Sequence, residues 1–416
     1  MKKFFYKILI LFSILSFGLS TFSFGDDIDN EVIDVNAEIV SSDTCRKQIK
    51  TPDTNSRACV VIDRNTSTIL YGKNENQKRK MASTTKIMTA TIIIENCNLD
   101  ETIEISKKAA GTGGSRLGLK TGDKITIKDL LYGLMLRSGN DTAVALAEYA
   151  GGSIESFAEL MNKKASELGL RSTHFETPHG LDSDEHCTTA YELAILSNYA
   201  LNNTIFSQIV GTKEYTITIN GTPKQISNTN ELLGNLNGVY GIKTGFTNGA
   251  NRCLVTSCKR NDMDIICVVL GADTKKFRTQ DSIKLINYIF DNFEPVNIQE
   301  LIENKFEQWE TENLSKITIN KGITQNINLE IENIDKAIIP VRRDLIDSIN
   351  INIYCPLLFE APIASNSQIG FVNISISDYF DFNYKIYNSY EIKHKSWNMY
   401  LFEILKNYSY ILNNIL

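Results

Sequence analysis

Strand-type sequence lies at both ends of a long helical stretch, and this limits the chain to few folds. The run "ACVVIDRNTSTILYGKN" (58–74) reads as two strands joined by a polar turn, a hairpin. "VYGIKTGF" (239–246), "NRCLVTSCK" (251–259) and "DMDIICVVLGA" (262–272) read as three more strands, with a turn at Arg260-Asn261-Asp262. Between these ends the periodicity is helical. A helix entered at Ser83 runs through "IMTATIIIEN". Thr126 reads as an N-cap for "IKDLLYGLML", with Asp129 at the capping-box position. That helix breaks at "RSGND", and "TAVALAEYA" follows and stops at Gly151-Gly152. "ESFAELMNKKASELG" and "TAYELAILSNYALN" are two more helices, separated by the loop "THFETPHGLDSDEHC"; "TQDSIKLINYIFDNF" is the last. The pattern predicts an α/β (α+β) domain: one antiparallel sheet built from both ends, with a helical insert beside it.

The flanks differ in composition. Lys2, Lys3 and Lys7 precede the apolar run "ILILFSILSFGLS", and the small residues Ser23 and Gly25 follow it. That order predicts a secretory signal peptide over 1–25, with an uncleaved anchor as the alternative, and an extracytoplasmic mature chain. An acidic lead-in covers 26–48, and the main domain 49–295. From about Val296, "SKITINKGITQNINLEI" and "GFVNISISDYF" alternate apolar and polar residues, predicting a small all-β domain over 296–388. In the final segment, 389–416, Leu401, Leu405, Tyr408, Leu412 and Ile415 share one helical face, while Glu403, Lys406, Asn407 and Asn413 interrupt any apolar span. This predicts an amphipathic helix on a membrane surface, with Trp397 and Lys395 at its head. A helix packed on the protein is the plainer alternative.

The formal net charge of -6 gives no support for a nucleic-acid partner. The 8 cysteines contain no zinc-type Cys-x-x-Cys pair, and buried thiols account for them at least as well as disulfides. His174, His179 and His186 lie on a loop without a supporting carboxylate pattern, so no metal and no cofactor is expected.

The chemistry centres on "KMASTTKIMTA" (80–90). Ser83 and Lys86 are three residues apart, a spacing that puts both on one helical face. A serine needs a base to act as a nucleophile, and lysine serves when burial or a second cation favours its neutral form. Ser-x-x-Lys alone arises by chance about once in a chain of this length. Two further stretches supply what it lacks. "RSGND" carries Ser138 and Asn140, and "GIKTGFT" carries Lys243, Thr244 and Gly245 on or near a strand edge. The spacings are 138 − 83 = 55 and 243 − 138 = 105 residues.

Ser-x-x-Lys, Ser-x-Asn and Lys-Thr-Gly in this order resemble the signature of penicillin-recognising enzymes. With "DLLYGLMLRSGNDTAVALAEY", "ELGLRSTHFETPHGLD" and "TTAYELA", residues 50–295 resemble the serine D-alanyl-D-alanine carboxypeptidases, the low-molecular-mass penicillin-binding proteins. The resemblance implies a penicillin-recognising serine transpeptidase/β-lactamase-like fold, a peptidoglycan stem peptide as substrate and β-lactam antibiotics as inhibitors. It implies Ser83 as nucleophile, Lys86 as general base, Ser138 as proton relay, and Asn140 as a holder of Lys86 and the substrate. Lys243 would be the second cation, Thr244 a carboxylate ligand, and the N–H groups of Ser83 and Phe246 the oxyanion hole after Gly245. Arg278 matches an arginine near the carboxylate end, with a surface charge at a helix start as its plain alternative. His179 and Leu181 match a loop that borders the groove. Met81 stands where relatives often carry Pro, and Phe246 where they often carry His or Tyr.

Three other readings share these motifs. A serine β-lactamase needs a deacylating Glu, and Glu176 in "STHFETPHGL" lacks the Glu-x-x-Leu-Asn context. A D,D-endopeptidase and an inactive membrane-tethered binding homologue are the others.

Overall fold

The computed structural model describes residues 49–335 and 337–415, with side chains as far as 410. The signal-peptide and acidic lead-in readings lie outside the described residues.

The strands at the two ends of the helical stretch form one antiparallel sheet. Its members are β1 (Ala58–Asp63), β2 (Ile69–Lys73), β3 (Val239–Thr247), β4 (Asn251–Arg260) and β5 (Met263–Ala272), in the order β2-β1-β5-β4-β3. The closure is the β1–β5 pairing, which sets Val61 opposite Cys267. The β4–β5 turn holds Asn261 and Asp262 at φ 46° and 62°, a conformation that short polar side chains tolerate. Alternate residues along these strands enter two different cores. Val60, Ile62, Val255, Ile266 and Val268 pack beneath the helical insert. Cys59, Val61, Leu254, Cys267 and Val269 pack on the opposite side with Leu285 and Ile289. Burial on both sides explains why these strands read as nearly continuous apolar runs.

The insert contains α1 (Lys86–Asn96), α2 (Ile127–Leu136), α3 (Asn140–Gly151), α4 (Ile154–Glu167) and α5 (Ala190–Leu201); α6 (Lys275–Asn292) follows the sheet. α1 is buried from Lys86 to Ile93. One entry differs from expectation. Ser83 lies in a single 3₁₀ turn, Ala82–Thr85, and caps no helix; the α-helix starts at Lys86. Thr126 does cap α2, accepting from the Asp129 amide at 3.1 Å. The Asp129 carboxylate turns away to the Thr218 amide at 2.8 Å. Thr218 belongs to a hairpin, Glu214–Ile219 with Thr222–Ser227, that periodicity alone did not reveal. Its signal is the Asn220-Gly221 pair at φ 52° and 78°.

The third core lies after residue 296. α7 (Ile298–Asn313) precedes the strands and contributes Ile298, Ile302 and Phe306, an addition to the strand-only reading. A four-stranded sheet of β6 (Leu329–Ile331), β7 (Asn350–Tyr354), β8 (Ser367–Ile376) and β9 (Phe380–Asn388) runs β6-β9-β8-β7. The last element is α8 (Trp397–Ile415). Trp397, Phe402, Ile404, Leu405 and Tyr408 on it are exposed. Among the described residues no helix is long and apolar enough to cross a membrane. Seven cysteines fall among the described residues, and no disulfide joins any two of them.

Candidate active site

The site forms where the 3₁₀ turn, the α2–α3 link, the 173–187 loop and β3 meet. Lys86 is completely buried. Its Nζ lies 2.9 Å from Ser83 Oγ, 2.7 Å from Asn140 Oδ1 and 3.0 Å from the His179 carbonyl oxygen. The last two groups can only accept a hydrogen bond. They engage two N–H bonds of the amine and hold it within hydrogen-bond distance of the serine hydroxyl.

Two strained residues set this geometry. Ala82, just before Ser83, has φ 48°, and Ser138 has φ 58°. Such values are unfavourable for residues with a Cβ and concentrate at functional sites. Ser138 lies within the break between α2 and α3, and its Oγ is buried with no hydrogen-bond partner among the described residues. Asn140 opens α3. Its Nδ2 donates to Gly113 O at 2.8 Å and its backbone N–H to Ser115 O at 2.7 Å. Asp141 beside it was not anticipated. Fully buried, it accepts from the amides of Leu117, Gly118 and Leu119 at 2.9, 2.8 and 3.0 Å, and so anchors the loop that walls the site.

The 173–187 loop is clamped onto the Ser83 turn. Gly180, at φ 83°, approaches so closely that a Cβ would sit 1.9 Å from Ala82 O and 2.5 Å from Thr85 Oγ1. His186 links the same two elements. Its Nδ1 accepts from the Glu176 amide at 3.0 Å, so Nε2 carries the proton toward Thr85 Oγ1 at 2.8 Å. Burial pushes His186 down to about 4, against the pull of Glu176. Burial, then Lys86 and His186, push His179 down to about 3. The neutral His179 Nδ1 accepts from the Leu181 amide at 3.2 Å. It is thus the carbonyl of His179, not its ring, that touches Lys86. Leu181 lies over Gly114 at the wall loop. At the loop's far end Asp182 accepts from Thr247 Oγ1 at 2.7 Å and the Gly249 amide at 2.8 Å, tying it to the end of β3. Among the described residues no group of three His, Cys, Asp or Glu could hold a metal ion.

β3 is an edge strand of the sheet. Gly245 brings its backbone against the Ser83 turn; a Cβ there would lie 3.2 Å from Met81 O and from the Ser83 and Thr84 nitrogens. Lys243 is buried and donates to Thr244 O at 3.1 Å. The Thr244 hydroxyl is 2.8 Å from that of Thr229. Arg278 is not a surface charge. It is fully buried in the first turn of α6 and paired with Glu231, which also bonds Thr279 Oγ1. Thr229 and Glu231 escaped the sequence reading because no motif marks them.

The sequence profile of the D-alanyl-D-alanine carboxypeptidases, peptidase family S11, matches residues 45–274, more than half of the chain. The chain belongs to this family. It is 39% identical over 245 residues to D-alanyl-D-alanine carboxypeptidase DacF of Bacillus subtilis, covering 58% of this chain and 63% of that one. The match therefore spans less than two thirds of that relative. The Streptomyces K15 DD-transpeptidase structure aligns with TM-score 0.57 and 34% identity, over 58% of this chain and 100% of its own. The structure of DacD from Francisella tularensis aligns over 85% of this chain and 98% of its own, with TM-score 0.64 and 24% identity, a likeness of fold. An alignment over 85% of the chain extends beyond the sheet and its helical insert into the strand-rich region.

Proposed function

We propose that this chain is a serine-type D-Ala-D-Ala carboxypeptidase. It removes the terminal D-alanine from peptidoglycan stem pentapeptides through an acyl-enzyme, and penicillin acylates it. The observation that carries this reading is the Lys86 amine, held by two obligate acceptors with Ser83 Oγ at 2.9 Å. The neutral amine uses its two N–H bonds on Asn140 and His179 and takes the Ser83 proton on its lone pair. Ser83 Oγ bonds to the carbonyl carbon between the two D-alanines. The oxyanion rests between the N–H groups of Ser83 and Phe246, brought together by the close approach at Gly245. As the C–N bond breaks, Ser138 passes its proton to the leaving amine and takes one from the Lys86 ammonium, which leaves Lys86 neutral again. Water, deprotonated by Lys86, then cleaves the ester and restores Ser83. The substrate's terminal carboxylate is held by Lys243 and Thr244, with Arg278 behind them.

The region over 49–295 acts as the catalytic domain and that over 296–388 as a spacer. α8 holds the enzyme on the outer face of the cytoplasmic membrane, supported by its exposed aromatic and aliphatic residues. Labelled penicillin should be trapped on Ser83, and a pentapeptide should lose D-alanine. Rapid penicillin turnover without D-alanine release overturns the proposal in favour of a β-lactamase. Absence of any adduct favours the inactive binding homologue, and cleavage of cross-linked dimers alone favours an endopeptidase.

A further inference from the structure

An amide side chain has two unlike ends, and the end that Asn140 turns to Lys86 decides its effect there. Its Oδ1 faces Lys86 Nζ at 2.7 Å, and its Nδ2 faces Gly113 O at 2.8 Å. A carbonyl oxygen can only accept, so Gly113 takes the NH2 end and leaves the oxygen for the lysine. Turned over, the same amide would donate to the lysine amine and compete for the lone pair that Ser83 needs. The orientation therefore depends on where the Gly113 carbonyl stands. Gly113 opens the 113–119 wall loop, and Asp141 holds that loop. Asp141 Oδ1 accepts from the Leu117 and Thr142 amides at 2.9 and 3.0 Å, and Oδ2 from the Gly118 and Leu119 amides at 2.8 and 3.0 Å. Asp141 is fully buried in the first turn of α3, where the helix dipole favours a negative charge. The loop also sits tightly on the amide: a Cβ on Gly114, at φ 81°, would lie 2.6 Å from Asn140 Nδ2.

We infer that Asp141 is a positioning residue for the reaction: by anchoring the wall loop it fixes the Asn140 amide with its oxygen on Lys86. This rests on the carboxypeptidase reading, in which neutral Lys86 takes the Ser83 proton. Asp141 acts on that amine through the loop and Asn140. In Asp141→Asn one oxygen becomes an NH2 group. Whichever way it turns, two of the backbone N–H groups then face a donor in a buried place. The loop loses its anchor, the Gly113 carbonyl leaves Nδ2, and Asn140 is free to turn over. An NH2 end on the amine disfavours the ammonium, so Lys86 gives up its proton at lower pH while its lone pair is drawn away from Ser83. The rate falls and the acid limb of the pH–rate profile moves down, the opposite sense to an acidic group at Asn140. His179, which faces Lys86 from the 173–187 loop, is held at about 3 and stays neutral over that range.

The test uses the full chain and follows acylation by labelled penicillin across pH, with D-alanine release from acetyl-Lys-D-Ala-D-Ala measured alongside. Asp141→Asn should slow acylation about 10- to 100-fold and move the acid limb down by about 0.5–1 pH unit. Gly114→Ala pushes the loop off the amide with Asp141 intact, and should reproduce both changes; it carries the test if Asp141→Asn does not fold. Thermal melts establish which variants are folded. The deciding measurement repeats each change on Asn140→Ala. With no amide left to misplace, each should slow acylation less than about twofold further, although the thermal midpoint falls in both backgrounds. Losses that multiply in full on Asn140→Ala would show that the loop merely shapes the groove, and would overturn this inference while leaving the carboxypeptidase reading intact. A wild-type acylation profile in either folded variant overturns it in the same way. A wild type that is not acylated and releases no D-alanine overturns both.

Discussion

Asn140 Oδ1 accepts from Lys86 Nζ at 2.7 Å, closer than Nζ stands to the hydroxyl it serves. An amide at this position holds the amine by a neutral hydrogen bond. A carboxylate there would form an ion pair with the ammonium and oppose its deprotonation. Asn140→Asp should therefore lower kcat/KM for D-alanine release about 10²- to 10³-fold and move the acid limb of the pH–rate profile to higher pH. Asn140→Ala should lower the rate without that upward move. Equal profiles for the two variants would contradict the role given to Asn140.

Two glycines should fail in different ways. At Gly180 an added Cβ meets backbone, 1.9 Å from Ala82 O, and φ is 83°. Gly180→Ala should destabilise the protein by about 2–4 kcal/mol, through strain and loss of the loop clamp. At Gly245 the same Cβ meets the Ser83 amide at 3.2 Å, a contact that a few tenths of an ångström relieve. Gly245→Ala should cost about 1 kcal/mol of stability yet slow penicillin acylation on the order of 10²-fold, because the shift falls on the oxyanion-hole N–H. Urea unfolding and acylation kinetics on both variants separate the two effects.

The two halves of this site were unequally legible. The roles proposed for Ser83, Lys86, Ser138, Asn140, Lys243 and Thr244 rest on side chains, and motif order exposes them. The His179 carbonyl carries its part in the backbone, which any residue supplies, so only the fold could reveal it. Arg278 shows the converse. Its position near a helix start suited a surface charge until Glu231, distant in sequence, proved to neutralise it in the interior. The sheet was legible because its strands are apolar on both sides. The Glu214–Ile219 hairpin was not, because its outer strand, Thr222–Ser227, is mostly exposed and polar. α7 was hidden for a related reason: its three buried anchors sit among charged residues that lengthen the polar reading of the segment.

Acid should loosen the loop clamp. His179 and His186 are held at about 3 and about 4, below the ordinary histidine value near 6.5, chiefly by burial. Both stay neutral in the folded protein while the unfolded chain takes up protons. Their contribution to stability is complete above about pH 6.5, and falls as pH drops toward the folded values, by about 1.4 kcal/mol per pH unit per histidine. The urea midpoint should decline between pH 7 and pH 5, and His186→Gln should flatten the decline by about half. An unchanged slope in that variant would show that His186 is not held neutral.

The last prediction concerns α8. Its exposed apolar side chains include Trp397, Leu401, Phe402, Ile404, Leu405 and Tyr408. Each large side chain moved from water into a lipid interface contributes up to about 1.5–3 kcal/mol, so a few suffice for stable attachment. Glu403 is already paired with Lys395 at 2.6 Å, which softens the cost of bringing that acidic group to the surface. The full chain should sediment with lipid vesicles, and deletion of residues 397–416 should abolish this. Because α8 is exposed along its described length and far in sequence from Ser83, the shortened chain should keep its thermal midpoint and its rate of D-alanine release. A shortened chain that still binds vesicles would move the attachment elsewhere. A fall of several degrees in its midpoint would mean that α8 packs on the protein in solution.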